Sequence, residues 1–330
     1  KLVMNICLLD KTNFSYNFYD LNNSKLRAAE TILINIAISL SKLNHQVSII
    51  NNCPKNEKIG NINWININSL KDKYVCDLAI SNNDCNLFDK ILAKKKILIS
   101  HSIQTIEKFI RKKQLLPYLR HKPKLALLGK YHLSKRNYFT RMFGFFFMSY
   151  GVDQIFTKTK LLDFNLIDKK QAIFTSRPDR NLELLIDLWT KQISPIFNQA
   201  KLLITPNTFD HKLNTNIYIR ELGSRENMIN DLLKSRMIIL PGHKAELFCL
   251  AAEEARELCV PIVTLGIGSL SERVNHNKTG LVAKNKNEFV DFVIELFKND
   301  KLWLSLRSNL MKLRNSRTWD CCAKELLKNI

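Results

Sequence analysis

Two successive doubly wound α/β domains are what this sequence of 330 residues predicts. Three observations carry that expectation. Short apolar runs alternate with stretches whose apolar residues recur at helical spacing, the signature of strands and helices in a parallel sheet. The alternation runs once to about residue 150 and then begins again. The length suits two domains, and nine glycines with eight prolines leave little room for long flexible linkers.

The elements follow in order. "LVMNICLLD" reads as the first strand. A helix lies within "KLRAAETILINIAISLSKLNHQVSII", closed by a polar turn at Asn44–His45 before the strand "VSII". "CDLAIS" and "KKILIS" are further buried strands, whereas residues 103–148 show no clear period. Beyond "YGVDQIF", strands are expected in "QAIFTS", "AKLLITP", "RMIILP", "PIVTL" and "GLVAK". Helices fall between them in "NLELLIDLWTKQI", "SRENMINDLLKS" and "LAAEEARELC", with "KNEFVDFVIELFKND" closing the series. The expected domains are therefore residues 1–165 and 166–312, two Rossmann-like units facing across a cleft. A last helix, 313–330, is expected to pack back toward the first.

The formal charge is +21, and it is unevenly spread. Residues 94–150 hold fourteen Lys and Arg against one acid, Glu107. A local excess of this kind asks for an anionic partner, though a solvated face remains the alternative. The eight cysteines show no zinc or C-x-x-C spacing and read as reduced, buried thiols of a cytoplasmic protein. No run is long and apolar enough to span a bilayer. "KLVMNICLLDK" is cut by Asp10 and Lys11, so it is not expected to be a signal peptide, and Met4 is the expected natural start. "GIGSLS" lacks a third glycine and does not open the first unit, which argues against a dinucleotide cofactor.

In open α/β sheets ligands sit beyond the carboxyl ends of the strands, here the loops after "IFTS" and "IILP". The first loop, in "FTSRPDRNLELL", brings Arg177 and Arg180 to a helix start. Two guanidiniums there suit a diphosphate, and pairing with Asp179 and Glu183 is the alternative. The second is followed by "AELFCLAAEEARELCVP", with a helix expected from about Leu250. Glu246 then precedes the helix and Glu254 lies just over a turn inside it. Both can accept hydrogen bonds from sugar hydroxyls, or be ordinary acids near a positive helix end. Glu253 and Glu257 are expected to be solvated.

From Tyr150 to about Val290 the chain resembles the retaining GT-B glycosyltransferases of group 1, which use nucleotide-diphosphate sugars. "YGVDQIF" is similar to the family's "GVD" after the first domain. The stretch from Glu246 to Pro261 is similar to its "E-G-F-G-L-P-A-L-E-A-M-A-x-G-x-P". "GIGSLSERVNHNKTGLVAKN" follows its later "G-G-x-x-E…T-G-L-L-V", with Glu272 and Gly280 on the pattern. The resemblance implies that Arg177 and Arg180 hold the donor diphosphate and stabilise the leaving nucleotide. It implies that Glu246 binds the transferred sugar and Glu254 the ribose, with Gly223 also at the donor. His101, ending "KKILISHS", matches a histidine facing the donor sugar, and a satisfied core histidine is the other reading. No Asp-x-Asp occurs, so the donor is the only small molecule expected, with no cofactor and no metal.

The chain departs from the family where Leu247 and Cys249 replace the two glycines of Gly-Phe-Gly. Arg180 also stands for Lys, and Asn181 and Cys259 for Gly. "DLNNSKLRAAE" occupies the place of the first-domain glycine-rich loop, leaving Lys25 or Arg27 as substitutes for its amides. A catalytically degenerate member is thus one alternative, and a basic nucleic-acid-binding protein another, although no nucleic acid is expected. "KFIRKKQLLPYLRHKPKLALLGKYHLSKR" suits an anionic membrane surface or an acidic glycan. The expectation is a peripheral enzyme at the inner membrane face, acting on a glycan or lipid-linked acceptor in lipopolysaccharide or polysaccharide synthesis.

Overall fold

The structure, a computed structural model, describes residues 3–22, 26–205, 216–220 and 223–330. The chain forms two compact units, Lys1–Gly151 with Arg317–Ile330, and Val152–Ser316. The break thus falls earlier than residue 165, for a packing reason. Val152 and Phe156 are buried in the core of the second unit. Gly151 lies against the other chain passage of the first unit, where a Cβ would come within 2.4 Å of the Trp319 nitrogen.

In the first unit an eight-stranded sheet is built from β1 (Asn5–Leu9), β2 (Gln46–Asn51), β3 (Glu57–Ile59), β4 (Ile62–Asn66), β5 (Tyr74–Asn82), β6 (Ile91–Ile99), β7 (Lys124–Leu127) and β8 (Phe145–Phe147). Their order is β3-β4-β2-β1-β5-β6-β7-β8, parallel throughout except for the β3–β4 pair. Ile6 to Leu9 are fully buried, as a central parallel strand covered on both faces requires. The helix Ala28–Lys42 buries Ile32, Leu33, Ile36, Ala37 and Leu40. Its start is fixed by Glu30, whose carboxylate accepts from the Arg27 N–H at 3.0 Å. Arg27 is thereby a helix-start residue, and Lys25 lies outside the described residues. Residues 103–148 hold the short helices Ile106–Arg111, Leu115–His121 and Lys130–Ser134 around β7 and β8. Elements this short span too few turns to show a period.

The second unit has β9 (Asp168–Phe174), β10 (Lys201–Ile204), β11 (Ile217–Ile219), β12 (Ser235–Gly242), β13 (Ile262–Ile267) and β14 (Gly280–Val282). They form an all-parallel sheet in the order β11-β10-β9-β12-β13-β14. Ile238 pairs with Ile173 on one side and with Ile262 on the other, at the middle of the core.

Glu253 and Glu257, expected in solvent, are buried at 1% and 0% exposure. Both lie on the helix Leu250–Glu257 and share the Arg256 guanidinium, at 2.9 and 2.8 Å. Arg256 also donates to the Leu313 carbonyl (3.2 Å) and the Ser316 hydroxyl (2.9 Å), and the Asn315 N–H donates to Glu257 (2.9 Å). Arg273 approaches Glu253 to 3.5 Å and lies over the Phe248 ring. Charge balance is what makes the burial tolerable, and helical spacing gave no hint of partners sixty residues away.

Three of the family-glycine positions filled here by other residues keep the backbone that glycine serves. Asn181, Cys249 and Cys259 all have left-handed φ, at 64°, 62° and 56°. Each has a compensating contact or packing. Asn181 donates from Nδ2 to the Gly242 carbonyl at 2.5 Å, Cys249 bonds Glu246, and Cys259 is fully buried. Asn181→Ala, which keeps a Cβ in this region and loses the amide, should cost about 2–3 kcal/mol. Asn181→Gly should cost about 1 kcal/mol, read from the midpoints of urea unfolding.

Candidate active site

Strand order reverses between β9 and β12, which are direct neighbours although β10 and β11 come between them in sequence. The loops that leave their carboxyl ends therefore run side by side, and they contain Arg177–Asn181 and His243–Cys249. Arg180 is mostly buried, with NH1 2.7 Å from Asp179 Oδ2 and Nε 4.0 Å from Glu246 Oε1. Arg177 reaches the same Asp179 oxygen at 3.0 Å but is largely exposed. The structure thus brings Arg177, Arg180 and Glu246 together and adds Asp179, a residue the diphosphate reading had left as an alternative partner. A carboxylate now lies between the two guanidiniums.

The second loop is held by close packing. A Cβ on Gly242 would meet the Ile267 carbonyl at 2.5 Å, and one on Gly268 would meet the His243 carbonyl at 2.3 Å. Both glycines have positive φ. The Ser269 N–H then donates to the Glu246 carbonyl at 3.0 Å. "GIGS" therefore serves as a floor for the Glu246 loop. Burial raises the pKa of the Glu246 carboxyl, and the Arg180 charge opposes that rise.

Glu254 sits in the second turn of its helix, and burial pushes its pKa up to about 7. Arg225 pulls the value down and Asp153 pushes it up, the two being themselves an ion pair. Gly223 lies two residues before Arg225, just ahead of Ser224, whose hydroxyl caps the helix Arg225–Lys234. A Cβ on Gly223 would lie nearest the side chains of Asn227 and Arg220.

His101 belongs to the first unit, just beyond the carboxyl end of β6. Its Nε2–H donates to the Asn82 side-chain carbonyl, and Nδ1 accepts from the Tyr150 hydroxyl. Burial lowers its pKa to about 4, so it is neutral at neutral pH. Asn82 also donates to Asp10 at 3.1 Å, and Asp10 accepts from Tyr16 at 2.6 Å. Asp10 and Asn82 were missed as site candidates. Their signal is a polar side chain at the carboxyl end of a buried strand, at the point where this sheet too reverses its order.

Two Rossmann-like α/β units, each a mostly parallel sheet with a switch point, define the GT-B fold. Residues 177–312 match the family of glycosyl transferases group 1, beginning at Arg177 itself. That match covers most of the second unit and less than half of the chain. Among solved structures it is similar to a glycosyltransferase from Rickettsia africae (TM-score 0.73, 14% identity, 99% of this chain and 97% of that one). It is also similar to sucrose-phosphate synthase from Thermosynechococcus elongatus (TM-score 0.71, 12% identity, 98% of each chain). A third is Anabaena HepE in complex with UDP-glucose (TM-score 0.67, 14% identity, 99% and 100%). At these identities the likeness concerns the fold. No curated protein sequence matches the chain.

The raised pKa of Glu254 has a consequence for stability. Between about pH 4.5 and the folded value of about 7, the unfolded chain loses this proton while the folded chain keeps it. Stability should therefore fall as pH rises through that window. Glu254→Gln should remove the loss and gain on the order of 1–3 kcal/mol over the parent at about pH 8, with little gain at about pH 4.5. Urea unfolding at the two pH values checks this.

Proposed function

We propose that the chain moves a sugar from a nucleotide-diphosphate sugar, with retention of configuration, to a cell-envelope glycan or lipid-linked acceptor. The observation that carries the reading is the Arg180 guanidinium held between Asp179 and Glu246 at the switch point of the second sheet. The donor diphosphate takes the place of Asp179 between Arg177 and Arg180. The two cations then stabilise the charge that grows on the leaving nucleotide as the bond from anomeric carbon to phosphate oxygen breaks. Glu246, set by Arg180 and the Gly268 floor, accepts from hydroxyls of the transferred sugar. Glu254, as carboxylate, accepts from the ribose hydroxyls. The acceptor oxygen forms the new bond to the anomeric carbon, and its proton passes to the departing phosphate. His101, neutral and bonded at both nitrogens, fixes the Asn82 and Tyr150 side chains of the first unit and transfers no proton.

Glu246→Ala should lower kcat by about a hundredfold or more while leaving the unfolding midpoint near that of the parent. An active Glu246→Ala enzyme overturns the assignment. Arg177→Ala should weaken binding of the nucleotide, read by thermal shift against UDP, GDP, ADP and CMP, and Arg180→Ala should weaken it more.

The basic segment supports a second part of the proposal, contact with an anionic membrane surface. Ile110, Leu116, Tyr138 and Met142 are exposed at 56%, 70%, 84% and 55%, within the stretch that carries fourteen Lys and Arg. Phe145 and Phe147 on the edge strand β8 are exposed as well. Apolar side chains that enter the headgroup layer, with cations beside them, suit such a surface. Among the described residues no helix is long and apolar enough to cross a membrane. The protein should float with vesicles containing anionic phospholipid and not with neutral ones, and Tyr138→Ser with Met142→Ser should reduce the bound fraction.

A further inference from the structure

One buried charge of the first unit has no hydrogen-bond partner among the described residues. Arg136 is 4% exposed, and its Nε and both terminal nitrogens are out of solvent without a hydrogen bond. Its backbone is ordinary, the N–H donating to the Leu133 carbonyl at 3.0 Å just past the helix Lys130–Ser134. The groups that act most on its charge are the Tyr118 phenol and the Cys85 thiol. Burial raises the pKa of both, so neither supplies an anion at neutral pH. A guanidinium in that position costs several kcal/mol unless something else compensates it.

Its surroundings are rich in donors. His132 is fully buried, and its Nδ1 accepts from the Leu128 N–H at 3.3 Å. The ring proton therefore lies on Nε2, which makes no hydrogen bond, the Ser102 carbonyl lying near but out of geometry. Lys108 feels the Arg136 charge, and its ammonium donates to the Ser102 hydroxyl (2.9 Å) and the Ile103 carbonyl (3.0 Å). Lys108 lies on the segment that leaves the carboxyl end of β6, and His132 and Arg136 on the one that leaves β7, close enough that Arg136 acts on both and His101 on His132, where α/β sheets bind ligands.

We propose that Arg136, with Lys108 and the Nε2–H of His132, is the binding site for one oxyanion, a phosphate or carboxylate borne by the acceptor. This rests on the transferase reading and narrows it, since the acceptor is then an acidic or phosphorylated glycan. Because Arg136 is buried, binding requires a local opening of the chain around it. Gln104 Oε1 is likewise buried without a hydrogen bond.

The test is a thermal-shift and equilibrium-dialysis series on the whole protein and on Arg136→Met, at constant ionic strength. The probes are inorganic phosphate, glucose 6-phosphate and glucuronate, with glucose and sodium chloride as controls. The parent should be stabilised by phosphate-bearing or carboxylate-bearing probes, the stronger arm naming the group, and not by the controls. A response to glucose 6-phosphate above that to inorganic phosphate marks an acceptor-borne group. Arg136→Met should fold with an unchanged or higher melting temperature, because an unpaired buried charge is gone. Its anion affinity should fall roughly tenfold to hundredfold. Equal anion responses in parent and variant overturn the site, as does dialysis showing no binding to the parent, a measurement that stands even where the variant does not fold. The nucleotide response, a readout of the second unit, should be the same in both proteins. Its absence in the parent counts against the transferase reading and leaves the anion result to be judged by itself.

Discussion

The parallel pairing of β9 with β12 is the constraint on which the second unit depends. Its register, Ile238 beside Ile173, sets where both strands end and so where their loops begin. With the strands adjacent, a guanidinium from one loop and a carboxylate from the other meet without either loop being long. Asn181 closes the arrangement by bonding across to the Gly242 carbonyl. Moving one strand by a residue would turn its core face outward and separate Arg180 from Glu246 together.

The same unit shows how a chain with few glycines keeps a backbone that favours glycine. Asn181, Cys249 and Cys259 take left-handed φ and recover part of the strain through a hydrogen bond, a thiol contact and core packing. Gly242 and Gly268 cannot be exchanged in this way. At both, a Cβ would meet a carbonyl oxygen at closer than van der Waals contact. Where backbone touches backbone only glycine fits, whereas a strained φ in open or adaptable surroundings admits a polar or small side chain.

The acids of the helix Leu250–Glu257 divide in an order opposite to simple expectation. Glu254 and Glu246 keep partial access to solvent, as the roles proposed for them require. Glu253 and Glu257 are the buried pair, neutralised by Arg256 and Arg273 and tied to the segment 313–316. This fastens the helix from behind while its front remains free for a ligand.

The sequence by itself determined the fold class and most strands of both units, because runs such as "NICLL" and "MIIL" have no other way to bury their side chains. It also determined that Arg177, Arg180 and Glu246 lie in loops at carboxyl strand ends, since loop positions follow from strand positions. Tertiary structure alone decided the rest. The place of the domain break depended on where Val152 and Phe156 pack, and the fates of Glu253, Glu257 and Arg136 on residues distant in the chain. Asp10 and Asn82 became visible only once the strand ends were set beside one another, whereas Asp179 was already legible as a partner of Arg177 and Arg180. Periodicity reports which face of an element is apolar. It says nothing of which charges that face will meet, because those come from other parts of the chain and are fixed by packing.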